Sequence, residues 1–243
     1  MIIVCLWLPL LYHSAGSLLL SAEEESKIPI LFVSYFGYEE QLMDCLTLCE
    51  SIRKFAGSLS RAPVIIYYHE SLHELKEKYK EKFALLDAEL KSFKTPKDAL
   101  QYDLGIKPFI AAQSEKEALG KADILAYLDP NIIILNEPKD FILKDDKALG
   151  YRPVFHQNIG SLYSEQLDAF WSRLYHVLNI GESTLFPMEA IADKKILRPY
   201  FNAGLLILRP EKTIMRQWAK YFQISSAFYV KCQGCSKPQQ NQV

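Results

Sequence analysis

Short unbroken apolar runs, separated by segments with helical spacing, constrain this chain more than any other feature. IPILFVS (28–34), VIIYY (64–68), DILAYLD (123–129) and LLIL (205–208) show no alternation of apolar and polar residues. A strand without alternation is buried on both faces, and such strands come mostly from parallel sheets covered by helices. The intervening segments supply the covers. Glu39–Phe55 carries Leu42, Leu46, Cys49 and Phe55 at helical spacing, with Gly57 as its stop. His69–Lys82 has Leu72, Leu75 and Tyr79 as its apolar stripe, and its charge run KEKYKEK reads as a solvated face. Ile106–Leu119 and Glu165–Leu178 read as further helices, and Ala88–Phe93 as another strand. Arg209-Pro210-Glu211 opens a last helix, whose pattern decays after Tyr221.

The expectation is an α/β protein in three layers, with a mostly parallel central sheet. No repeat or Gly/Ser-rich linker divides it, so residues 27–222 read as one domain, followed by an irregular tail over 223–243. The chain has 28 Lys and Arg against 29 Asp and Glu, so no basic excess points to nucleic acid, and an anionic ligand needs a local site.

Residues 1–22 are apolar and nearly free of charge, ending in Ser21-Ala22 before three glutamates. They read as an export signal or N-terminal anchor, although the positive leading region is missing. Pro9, His13 and Gly16 make them a poor membrane span. On that reading the protein is secreted or membrane-associated, with any membrane contact made through this segment. A miscalled start codon would leave it cytoplasmic. Cys45 and Cys49, one helical turn apart, read as two small buried hydrophobes. Cys232 and Cys235 form one CxxC without the further ligands a zinc site needs. His69 and His73, four residues apart, fit one helix face and read as surface groups.

No GxSxG, P-loop or GxGxxG string occurs, which removes the usual support for serine hydrolases, P-loop kinases and dinucleotide dehydrogenases. Two strand-end strings remain. AYLDPNIIILN (126–136) puts Asp129 after an apolar run and turns on Pro130-Asn131; YFNAGLLIL (200–208) leads into another run. In a parallel sheet, ligands bind outside the carboxyl ends of the strands, where Ser34-Tyr35 and Asp129-Pro130-Asn131 both fall. Taken singly, each string is also an ordinary turn, and LDPN would serve as a hairpin-like bend between two strands.

Together and in this order, these strings resemble the nucleotide-sugar glycosyltransferases of the GT-A fold, in particular their glycogenin and galactosyltransferase-like branch. The resemblance covers about residues 28–222. It implies a GT-A-like α/β/α fold, a nucleotide-diphosphate sugar donor and a hydroxyl acceptor such as a glycan. By the same resemblance Val33, Ser34 and Tyr35 line the nucleotide base and ribose, Lys107 reaches toward the phosphates, and Asn202, Ala203 and Gly204 face the donor sugar. Asp129 contacts the ribose or a divalent metal, manganese or magnesium. Asn131 stands where the family places its main metal-binding aspartate.

Asn131 offers an oxygen but no charge. Two unit charges about 4 Å apart interact by ~4 kcal/mol at an effective dielectric of ~20, so losing one can weaken a metal site seriously. The family also supplies a late histidine ligand, whereas all five histidines here lie at or before His176. Both departures put metal dependence in doubt. They keep open an alternative in which the fold binds a nucleotide sugar or glycan without catalysis. Arg152, His156, Gln157 and Asn158 form a polar cluster that lines an acceptor side or is a plain loop.

Overall fold

The computed structural model describes residues 28–94, 96–99, 102 and 104–231. The segment 1–22 lies outside the described residues, as do Cys232, Cys235 and the Gln-rich end. In chain order the elements are β1 (Ile28–Phe36), α1 (Glu39–Phe55), β2 (Val64–His69), α2 (His73–Leu85), β3 (Ala88–Phe93), α3 (Ile106–Ala118) and β4 (Ala122–Leu128). They continue with β5 (Leu149–Pro153), α4 (Ala169–Leu178), β6 (Met188–Glu189), β7 (Ile196–Leu197), β8 (Phe201–Leu208) and α5 (Ile214–Lys231).

Six strands form one sheet in the order β3-β2-β1-β4-β8-β5. The first four are parallel, and β8 runs antiparallel between β4 and β5. The chain moves outward from β1 to β2 and β3, then returns to place β4 on the other side of β1. A crevice opens at such a reversal, outside the strand ends. β6 and β7 form a separate two-stranded ribbon.

The unbroken apolar runs have the expected cause: each face of the sheet has its own core. Leu31, Val33, Tyr35, Leu125 and Tyr127 pack with Ile110 and Ala111 of α3, Trp171 and Leu174 of α4, and Met215 and Trp218 of α5. Ile30, Phe32, Phe36, Ala126 and Leu128 face Leu42, Cys45, Cys49 and Ile52 of α1 and Phe83 of α2. Burying each larger apolar side chain contributes about 1.5–3 kcal/mol, so neither helical layer is dispensable. Among the described residues no helix is long and apolar enough to cross a membrane.

Several local expectations change. His69 ends β2 and its Nδ1 accepts from the Ser71 N–H, while His73 begins α2, so the two do not share a helix face. α4 begins at Ala169 rather than Glu165, because the Asp168 carboxylate accepts from the Trp171 N–H at 2.7 Å and caps the helix there. Pro210–Lys212 is a short 3-10 turn closed by Thr213 at φ 59, after which α5 starts. α5 then runs through Lys231, so the tail expected to be irregular from 223 begins as helix. Phe222 explains this, stacking edge-on against Tyr102 and Phe109 at 5.5 and 5.9 Å, while Tyr102 donates to the Ser226 carbonyl. IIIL after the LDPN turn is not a strand, which excludes the hairpin-like bend. Ile134 is buried there, and its N–H donates to Ser51 Oγ at 3.0 Å.

Candidate active site

Asp129 follows the last residue of β4 at the reversal point. Its N–H donates to the Gly204 carbonyl at 2.7 Å, continuing the ladder in which Leu128 pairs with Leu205. The turn closes when the Ile132 N–H donates to the Asp129 carbonyl at 3.2 Å. Backbone bonds on both sides thus fix the carboxylate before any side chain contributes.

β8 reaches this position through an irregularity. Against β5 its register jumps from Leu206 opposite Tyr151 to Asn202 opposite Arg152, so residues 203–205 leave that ladder. A bulge of this kind bends a strand and re-aims its side chains. Asn202 Oδ1 accepts from the Gly204 N–H at 2.8 Å, holding the exposed amide in place and leaving its nitrogen free to donate. A Cβ added to Gly204 would stand 3.0 Å from Asn202 Oδ1 and 3.1 Å from Asp129 Oδ2, so any side chain here would push the two flanking groups aside by a few tenths of an ångström. Ala203 points the other way, into the core.

Lys107 is the second residue of α3 and is 5% exposed. Its ammonium lies 2.7 Å from both oxygens of Asp129. The hydrogen bond goes to Oδ2. Oδ1 is buried and accepts no hydrogen bond, so its contact is an ion contact only. Lys107, expected to reach toward phosphates, is engaged by the Asp129 carboxylate. The positive end of α3 adds to the same field.

Val33, Ser34 and Tyr35, expected to line the base and ribose, are all closed by packing, at 1%, 0% and 3% exposure. They divide between the two faces of the sheet. Ser34 lies under α1 near the Cys45 thiol, which donates to the Tyr35 carbonyl at 3.3 Å. Tyr35 stacks on Tyr127 at 6.3 Å, and burial, with Asp129 nearby, holds both phenols well above their usual range. These rings stay neutral and can act as hydrogen-bond donors.

Asn131 is exposed at the turn, two residues beyond Asp129. Among the described residues no three His, Cys, Asp or Glu side chains converge. A hard divalent cation takes six or more oxygens, usually from several carboxylates. One carboxylate already held by an ammonium, with one neutral amide, does not fit a resident cation.

The polar cluster before Ile159 divides. Arg152 is exposed and pairs in register with Asn202. Gln157 is tied to another loop, accepting from Lys195 Nζ at 2.6 Å and donating its N–H to Asp193. Asn158 adopts φ 43 beside it, and His156 stacks edge-on against Phe155 at 5.8 Å. Sequence reasoning passed over Tyr38, which stands 54% exposed just beyond the end of β1. Its place after a strand end was the available signal.

The chain matches the family model described as "Rhodobacterales glycosyltransferase domain" over residues 38–228. No curated protein matches it by sequence. Among solved structures, core-mannan synthase A from Aspergillus fumigatus, in its Mn/GDP form, is similar with a TM-score of 0.50 at 11% identity. That match covers 86% of this chain and 66% of the synthase. The mannosyltransferase Ktr4p from S. cerevisiae, in complex with GDP, gives a TM-score of 0.51 at 13% identity, covering 84% of this chain and 62% of that one. The chain therefore spans slightly under two thirds of the length of these relatives. The likeness is one of fold: a GT-A-like α/β/α architecture around a mostly parallel sheet.

Proposed function

The chain belongs to the glycosyltransferase family of that model, and from this premise we propose that it moves a sugar from a nucleotide-diphosphate donor to a hydroxyl group of an acceptor. The observation that carries the proposal is the grouping of Asp129, Asn202, Gly204 and Lys107, from three separate elements, at the point where strand order reverses.

In the transfer, the acceptor hydroxyl oxygen bonds to the anomeric carbon as the bond from that carbon to the phosphate oxygen breaks. The nucleoside diphosphate leaves with the electron pair, and the hydroxyl proton passes to a base or to solvent. Asp129 accepts a hydrogen bond from a donor hydroxyl, the Asn202 amide nitrogen donates to the sugar, and Gly204 allows the close approach. Tyr38, exposed at the end of β1, offers a face on which a nucleobase stacks. The first turn of α3 places positive potential where leaving-group charge develops, the kind of preorganised field that lowers such barriers.

The test is release of nucleoside diphosphate from a panel of GDP- and UDP-sugars by the purified full chain, beside Asp129→Ala. Turnover lost in the variant supports a transferase. Binding of donors without turnover, under every acceptor tried, would instead support a non-catalytic nucleotide-sugar binder. Absence of both would sink the reading.

A further inference from the structure

We propose that Arg152, rather than a protein-bound divalent cation, holds the diphosphate of the donor. The inference rests on the transferase reading above and concerns the same crevice.

Four side chains form a continuous strip there. Lys107 lies 2.7 Å from both Asp129 oxygens. Asp129 Oδ2 and Asn202 Oδ1 flank the position a Gly204 Cβ would take, at 3.1 and 3.0 Å. Asn202 and Arg152 are register partners on adjacent antiparallel strands, so their side chains share one face of the sheet. One strand spacing is only ~4.8 Å, well within the span of an arginine side chain.

Charge along the strip decides what it attracts. Lys107 and Arg152 contribute +2 and Asp129 contributes −1, leaving +1. A dication is repelled by such a set and an anion is drawn to it. Lys107 is consumed by its carboxylate. Arg152 is exposed and makes no hydrogen bond or ion pair among the described residues. Its planar guanidinium presents two parallel N–H groups that match two phosphate oxygens, a fork geometry an ammonium lacks. A resident cation at Asp129 would have to displace a buried ammonium from both carboxylate oxygens, and Asn131 returns no charge in exchange.

The experiment is calorimetric titration of the full chain with GDP and UDP, in EDTA and again in excess manganese. The same titration is run on Arg152→Gln, Arg152→Lys and Asn131→Asp, with guanosine and uridine as ligands that lack phosphate. Wild-type affinity for the better nucleotide is expected to change less than about twofold between EDTA and manganese. Arg152→Gln weakens nucleotide binding by roughly 10–100-fold, the loss of a charge-assisted pair. Nucleoside binding and thermal midpoint stay unchanged, and Arg152→Lys recovers part of the loss. Asn131→Asp adds a carboxylate and makes binding manganese-sensitive. Manganese tightening of the wild type by more than tenfold, or Arg152→Gln binding like wild type, overturns the inference while leaving the transferase reading intact. Binding of neither nucleotide in either condition overturns both.

Discussion

At the scale of single residues, Glu115 shows how the fold places charge outside the crevice. It sits on α3 with no exposure, and its carboxylate accepts from the N–H groups of Met215 and Arg216 and from Arg216 Nε at 2.8–3.1 Å. The acceptor lies on one helix and the unpaired first-turn donors on another, so the pair caps α5 from a distance of about one hundred residues in sequence. Glu115→Gln keeps the shape but loses the charge and one good acceptor. The expected loss is about 2 kcal/mol of stability, read as a lower urea midpoint at unchanged slope. Gly204 makes the complementary point. Gly204→Val presses a branched side chain between Asn202 and Asp129, and donor binding should weaken at least tenfold while circular dichroism is unchanged. If the variant binds nucleotide normally, the flanking carboxylate and amide are not what the ligand meets.

At the scale of elements, α1 carries two thiols whose chemistry is set by packing. Cys45 and Cys49 are free and fully buried against β1. Burial pushes the Cys49 thiol up to about 12 and the Cys45 thiol well above its ordinary range. A thiol raised in the folded state keeps its proton while the unfolded chain, titrating near ~8.5, loses it. Its stabilising contribution is therefore complete below that value and is lost as pH rises toward the folded one. The urea midpoint should fall steadily between pH 8.5 and 11, with the buried tyrosines acting in the same direction. Ellman's reagent should leave both thiols unmodified until denaturant is added. Rapid labelling in native buffer would show that α1 opens far more readily than its packing implies.

The elements also show what sequence could and could not disclose. β1, β2, β4 and the inner half of β8 were legible, because runs such as VIIYY have one physical cause, burial on both faces. Helix starts were less so. The N-cap at Asp168 was a local signal that the apolar stripe of Glu165–Leu178 outweighed, and the extension of α5 past Tyr221 depends on Tyr102 and Phe109, remote in sequence. Within the crevice, Asp129 and Asn202 could be found from strand-end position and family resemblance. The engagement of Lys107 by Asp129, and the register that sets Arg152 beside Asn202, could not. Both are long-range contacts, and the second arises from a bulge that no local pattern announces.

For the whole molecule, the boundary drawn at residue 222 can be tested directly. Ending the chain after Phe222 removes the last turns of α5 and the carbonyl of Ser226 that Tyr102 bonds. The thermal midpoint should drop by several degrees, since ~1 kcal/mol corresponds to about 2–4 °C in a protein of this size. An unchanged midpoint would restore 222 as the end of the folded unit.

The insertion of β8 between β4 and β5 has a consequence during synthesis. The ribosome delivers residues 122–128 and 149–153 well before 201–208, so the nascent chain holds two strands whose shared partner does not yet exist. At about 5–20 residues per second, the 80 residues from Leu128 to Leu208 take roughly 4–16 s to translate. Throughout that interval the β4 edge, Leu125–Leu128, offers unpaired backbone groups and an apolar surface. Stalled chains ending at residue 200 should bind chaperones and be cut rapidly by protease, whereas chains long enough to expose residue 231 outside the exit tunnel should resist. The segment that completes the candidate site is also the one that ends the chain's exposure to aggregation.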